Sequence, residues 1–105
     1  MYEEFTQERI AVLRTQRSKT ARDMSLTLGQ NDAYINKIEN KKSLPSLTGL
    51  FHICEYLGVT PQDFFDESNP NPERIKAIVE DIKQLDDNAL ANLAGVVKEM
   101  VKKKK

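Results

Sequence analysis

The run TARDMSLTLGQNDAYINKIEN, Thr20 to Asn40, sets two short helical patterns on either side of a single glycine. Met24 and Leu28 lie one helical turn apart, as do Ile35 and Ile38, so each pair presents one apolar face. Gly29 stands between them, where a sharply turning chain needs the positive φ that glycine adopts without strain. Ser25 is small where the two helices cross closely. Thr20 to Leu28 therefore reads as one helix, and the stretch from Asn31 to about Asn40 as the next, with Asn31 as its N-cap. In such a unit the second helix protrudes while the first braces it.

Working outward, a preceding helix is expected over Glu3–Gln16, with Ile10 and Leu13 inward. The stretch ENKKSLPS is a loop, after which Ser46 caps a fourth helix whose apolar positions are Leu47, Leu50, Cys54 and Leu57, closed by Gly58. Thr60-Pro61-Gln62-Asp63 opens a short fifth helix, with threonine as cap and proline at the first helical position. Phe64 or Phe65 plugs the bottom of the core. The polar segment DESNPNP breaks the pattern at Pro70 and Pro72. Two amphipathic stripes follow: Ile75, Ile78, Val79, Ile82 and Leu85, then Leu90, Leu93, Ala94, Val97, Met100 and Val101, with Asp86 and Asp87 starting the second helix. No segment shows sustained alternation of period two. The expected fold is all-α, with five helices in residues 1–67, a linker at 68–72, and a helical hairpin over 73–105 that ends in the basic tail Lys102–Lys105.

Composition narrows the function. With 39% hydrophobic and 30% charged residues the chain can build a core. No apolar run reaches the ~18 residues a membrane span needs, and the start MYEEFTQERI lacks the apolar stretch of a signal peptide. The expected location is the cytoplasm, with no membrane partner. Cys54 is the single cysteine and His52 the single histidine, so neither a disulfide nor a zinc cluster is expected. Cys54 falls on an apolar stripe, Asp86-Asp87 reads as a helix cap, and there is no Gly-rich phosphate loop. No catalytic residues, metal or cofactor are expected, and the chain reads as a non-enzyme. Sixteen basic and sixteen acidic residues cancel, yet they are unevenly placed. Arg9, Arg14, Arg17, Lys19, Arg22, Lys37, Lys41 and Lys42 oppose only Asp23, Asp32 and Glu39, a local net of +5. From Ser43 to Glu67 there is no Lys or Arg, and Glu55, Asp63, Asp66 and Glu67 give −4.

Over about Arg9 to Asp66 the chain resembles the helix-turn-helix family of Cro and the phage repressors, the XRE family. The most specific pieces are YINKIENKKSLPSL (Tyr34–Leu47) and, at the right distance, LGVTPQDFF (Leu57–Phe65). The resemblance implies a five-helix domain that sets a recognition helix in the major groove of two-fold DNA sites. It also implies an ion pair between Arg14 and Glu39. Three departures stand out. Ala21 replaces a glutamine that touches phosphate in the family, Lys19 and Gln30 replace apolar residues, and the loop reads Asn40-Lys41-Lys42 where the family has glycine second. Arg22, on the same helix end, can take over the phosphate contact.

On the recognition helix the residues not needed for the core are Asp32, Ala33, Asn36 and Lys37. Asparagine pairs with adenine, lysine with guanine, a carboxylate with the cytosine amino group, and a methyl with thymine. Backbone phosphates fall to Arg17, Arg22, Asn31, Tyr34, Asn40, Lys41 and Lys42. The unpartnered stripes imply dimerisation through Ile75, Ile78, Val79, Ile82, Leu90, Leu93, Val97, Met100 and Val101. The expected protein is a homodimeric regulator of transcription, in the manner of a repressor. It has no room for a ligand-sensing pocket or small-molecule substrate. The competing reading is a protein-interaction module, such as an antitoxin, whose stripes bind another protein; the two can coexist.

Overall fold

Thr20, Ser46 and Thr60 each accept a hydrogen bond at 3.0 Å from the backbone N–H three residues on, and each starts a helix. In the computed structural model, which describes residues 1–104, the chain folds into α1 (Tyr2–Gln16), α2 (Ala21–Thr27), α3 (Tyr34–Glu39), α4 (Leu47–Leu57), α5 (Pro61–Phe64), α6 (Pro72–Ile82) and α7 (Asp87–Lys104), with no strand among the described residues. None of these helices is long and apolar enough to cross a membrane. The chain divides into two compact units, Met1–Glu73 and the residues from Arg74 on.

The core of the first unit gathers Ile10 and Leu13 from α1, Met24 from α2, Ile35 and Ile38 from α3, and Leu50, Ile53, Cys54 and Leu57 from α4. Phe64 of α5 closes it from below, wholly buried. Phe65 stays largely exposed, edge-on to Phe64. Two details differ from the sequence pattern. Leu47 is exposed, and Ile53 takes the inward place. Side chains on a helix lean toward its N-terminus, so Leu47 at the first helical position projects past the end of the core. No helix continues into Pro72, but Pro72 is itself the first residue of α6 and not the last of the linker, since its missing N–H is of no consequence in a first turn.

The third helix also starts later than Asn31. Asn31 Oδ1 accepts from the Ala33 N–H at 2.8 Å, and Asn31 O accepts from the Tyr34 N–H at 3.0 Å. This tight turn of residue-to-third-residue bonding leads in, and the regular α pattern begins only at Tyr34. Gly29, at φ 75°, makes the turn between α2 and α3. Among the described residues, two that are not glycine share that left-handed conformation: Ser18 at φ 57° and Lys41 at φ 64°.

The polar segment after α5 is bound to α1. Arg9 is buried and donates to four backbone carbonyls: Phe64 (2.8 Å), Asp63 (2.9 Å), Asp66 (3.2 Å) and Asn69 (2.7 Å). Gln16 Nε2 donates to the Pro70 carbonyl at 2.8 Å. The first unit thus runs to Glu73, past the residues that read as a linker. Burial pulls the Arg9 pKa below the usual arginine value, and the charges of Asp66 and Asp63 oppose the shift.

Ser25, fully buried, couples α2 to α3. Its hydroxyl donates to the Ala21 carbonyl at 2.7 Å and accepts from the Ile35 N–H at 2.9 Å. That amide lies in the first turn of α3 and has no carbonyl partner of its own. Ser25→Val removes the acceptor and adds bulk at the crossing. It is expected to cost roughly 2–4 kcal/mol, read from the urea midpoint. Lys41→Gly acts the other way: relief of the left-handed strain outweighs the added chain entropy and the loss of an exposed ion pair, for a gain of up to about 1 kcal/mol in the same measurement.

Candidate nucleic-acid interface

A six-residue helix does not persist alone in water, so α3 must be held by its surroundings. Ser25 holds its first turn. Its last turn is held by Arg14, whose Nε and Nη2 donate to the two Glu39 carboxylate oxygens at 2.7 and 2.8 Å. Arg14 Nη1 also donates to the Lys19 carbonyl at 2.7 Å. Both side chains are largely shielded, at 19% and 12% exposure, so this forked pair is worth more than an open surface contact. The hydrogen bond to Glu39 raises the Arg14 pKa, against the effect of burial.

With Ile35 and Ile38 turned into the core, the opposite side of α3 carries Asn36 and Lys37, both exposed. Asn40 Nδ2 donates to Asn36 Oδ1 at 3.0 Å. This fixes the amide, while Asn36 Nδ2 and a second lone pair on its oxygen stay available. Lys37 has no acidic partner among the described residues. Asp32 is exposed and Ala33 half-buried in the lead-in turn. Asp32 Oδ2 accepts from Arg22 Nη1 at 3.0 Å. Tyr34 is half-buried, and its hydroxyl lies against Gly49, where an added Cβ would come within 2.9 Å. A side chain at Gly49 would push the Tyr34 hydroxyl aside, and burial raises the Tyr34 pKa.

The rim continues through Asn31, Asn40, Lys41 and Lys42, all exposed. Gln7 Nε2 ties the loop after α3 to α1 by donating to the Ser43 carbonyl at 3.0 Å. Lys41 Nζ meets Glu8 Oε1 at 2.9 Å, whereas Lys42 has no acidic partner among the described residues. Arg17 is engaged elsewhere. It donates to the Leu57 carbonyl at 3.2 Å, at the C-terminus of α4, and lies 3.6 Å from Glu73. Five of the eight basic residues between Arg9 and Lys42 (Arg9, Arg14, Arg17, Arg22 and Lys41) thus bind the protein itself.

Sequence reasoning did not foresee the hydrogen-bonding role of Ser25, the tether from Gln7, or the Arg22–Asp32 and Lys41–Glu8 pairs. Only the size of Ser25 could be read from its place between Met24 and Leu28. The pairs join residues distant along the chain and leave no local signal.

In the second unit, Ile75, Ile78 and Val79 on α6 and Val97, Met100 and Val101 on α7 are exposed, at 41–66% of their surface. Ile82, Leu90 and Leu93 are partly buried. Asp86 Oδ1 caps α7 by accepting from the Ala89 N–H at 2.8 Å. Lys102, Lys103 and Lys104 occupy the last turn of α7, where cations suit the helix dipole.

A short helix with a polar outer side, braced by a second helix across a glycine turn and rimmed by lysines, can enter a groove and offer donors and acceptors to base edges. No curated protein and no solved structure gives a match to the chain. The model of a family described as a helix-turn-helix domain matches residues 7–69, more than half of the chain. With that match and the geometry of α2 and α3, the chain belongs to the helix-turn-helix domain family, in its DNA-binding XRE type.

Proposed function

We propose that the protein is a sequence-specific regulator of transcription that binds double-stranded DNA as a homodimer on a two-fold site and represses by occupying it. The observation that carries this reading is the division of α3 into a buried side, Ile35 and Ile38, and an exposed polar side, Asn36 and Lys37. Asn36 pairs with adenine through its amide, and Lys37 donates to guanine. Ala33 lies against a thymine methyl, and Asp32 serves the same groove. Arg22, Asn31, Tyr34, Asn40, Lys41 and Lys42 meet the phosphates on either side. Arg17, whose Nη1 is engaged at the end of α4, belongs to the same proposed phosphate set through its other donors.

The apolar faces of α6 and α7 support dimerisation, since isolated helices that expose isoleucine, valine and methionine gain by pairing with a second copy. Two recognition helices roughly 34 Å apart then read successive turns of one duplex face. A protein partner on the same faces is the competing occupant, and the mass in solution separates the two.

Selecting bound sequences from random DNA tests the reading directly. The selected site is expected to be palindromic, with log affinity falling against log salt by about 0.9 per phosphate neutralised. Asn36→Ala is expected to lose about 1–3 kcal/mol on that site and to relax selection at one base pair of each half. The change Ile78→Asp together with Val97→Asp is expected to halve the mass measured by light scattering while the first unit keeps its fold; a mass unchanged from the parent would remove these faces from the dimer.

A further inference from the structure

Asp32 is an awkward residue for a surface that meets phosphates. A bare carboxylate there repels the ligand, by about 4 kcal/mol for a phosphate 4 Å away at an effective dielectric of 20. Within Asn31–Lys42 the only other acid is Glu39, which Arg14 occupies. Asp32 instead meets Arg22 across the turn, Nη1 to Oδ2 at 3.0 Å. Exposures of 69% and 50% mean the pair adds little to folding, so stability does not explain it. Its effect lies in the field it presents.

We infer that Asp32 acts on DNA through Arg22, as a positioning residue that suppresses non-specific binding. The inference rests on the reading of the α2–α3 face as the DNA interface. A guanidinium bound to a carboxylate at 3.0 Å presents a dipole, not a charge, to a phosphate several ångströms away. Loose encounters with any duplex therefore gain little from Arg22. One arm of the guanidinium is held by Asp32, and its remaining N–H groups have no partner among the described residues. When the protein docks in register, those donors meet an acceptor at contact distance with the side chain already ordered. The pair exchanges long-range attraction for a contact that forms only in the correct pose, which widens the gap between specific and non-specific affinity.

The test is a double-mutant cycle on the full chain: Asp32→Asn, Arg22→Gln and both together, titrated onto a random-sequence duplex and onto the selected site across a fourfold range of salt. Asp32→Asn is expected to strengthen random-duplex binding and to steepen its log–log salt slope by about 0.9, roughly a threefold larger loss over that range. Asp32→Asn is expected to lower the ratio of selected-site to random-duplex affinity while Arg22 is present and to leave that ratio unchanged in the Arg22→Gln background, and Asp32→Glu to keep the parent ratio and slope. An equal gain on both duplexes, with the ratio left at its parent value, would overturn the inference, because Asp32 would then act by its own charge alone. No gain in either background would overturn it as well. Failure of the parent chain to bind any duplex would instead remove the interface reading on which the inference stands, and the two failures are told apart by the parent titration.

Discussion

Helix α3 is too short to exist without its supports, and the two hydrogen-bonded clamps at its ends are what the rest of the molecule is arranged to supply. At the start, the Ser25 hydroxyl satisfies the Ile35 amide, which would otherwise be buried without an acceptor. At the end, the forked Arg14–Glu39 pair ties the last turn to α1. Ile35 and Ile38 fix the rotation of the helix about its axis by filling the core between the clamps. Position, tilt and exposed side are therefore determined together. A recognition element needs this rigidity, because ordering a loose helix on the ligand would consume binding free energy.

Charge is placed with equal economy. Arg9 gathers the carbonyls at the end of the first unit, Arg14 holds α3, and Arg17 covers the C-terminus of α4. Arg22 and Lys41 face carboxylates on the surface. Counting basic residues along the chain thus overstates the positive field at the face of α3, which is carried by a few lysines. On the proposed reading, a modest field suits a protein that must leave random sequence readily, since counterion release rewards every duplex alike.

The two units differ in kind. The first closes around its own apolar core, whereas α6 and α7 keep isoleucine, valine and methionine exposed. On the proposed reading a second copy covers these faces, so the DNA-binding form depends on protein concentration, and dimer stability and DNA affinity become linked. The chain then needs no separate sensing domain to respond to its own abundance.

Much of this was legible in the sequence, because the governing signals are local. Helical spacing of Ile10, Leu13, Met24, Ile35 and Ile38 dictates which faces are buried, and Thr20, Ser46 and Thr60 announce helix starts through a single side-chain hydrogen bond. The glycine turn and the exposed places of Asn36 and Lys37 follow from the same periodicity. Tertiary structure decided what periodicity cannot encode. The burial of Arg9 among four carbonyls and the pairing of Arg22 with Asp32 depend on groups brought together from separate elements, while the lead-in turn at Asn31 and the outward place of Leu47 are local geometry at helix starts that apolar spacing does not register. Sequence alone determined the helices and their inward faces, since these are set by neighbours within one turn; the folded chain alone determined which charges remain for a ligand, since that depends on which partners arrive in space.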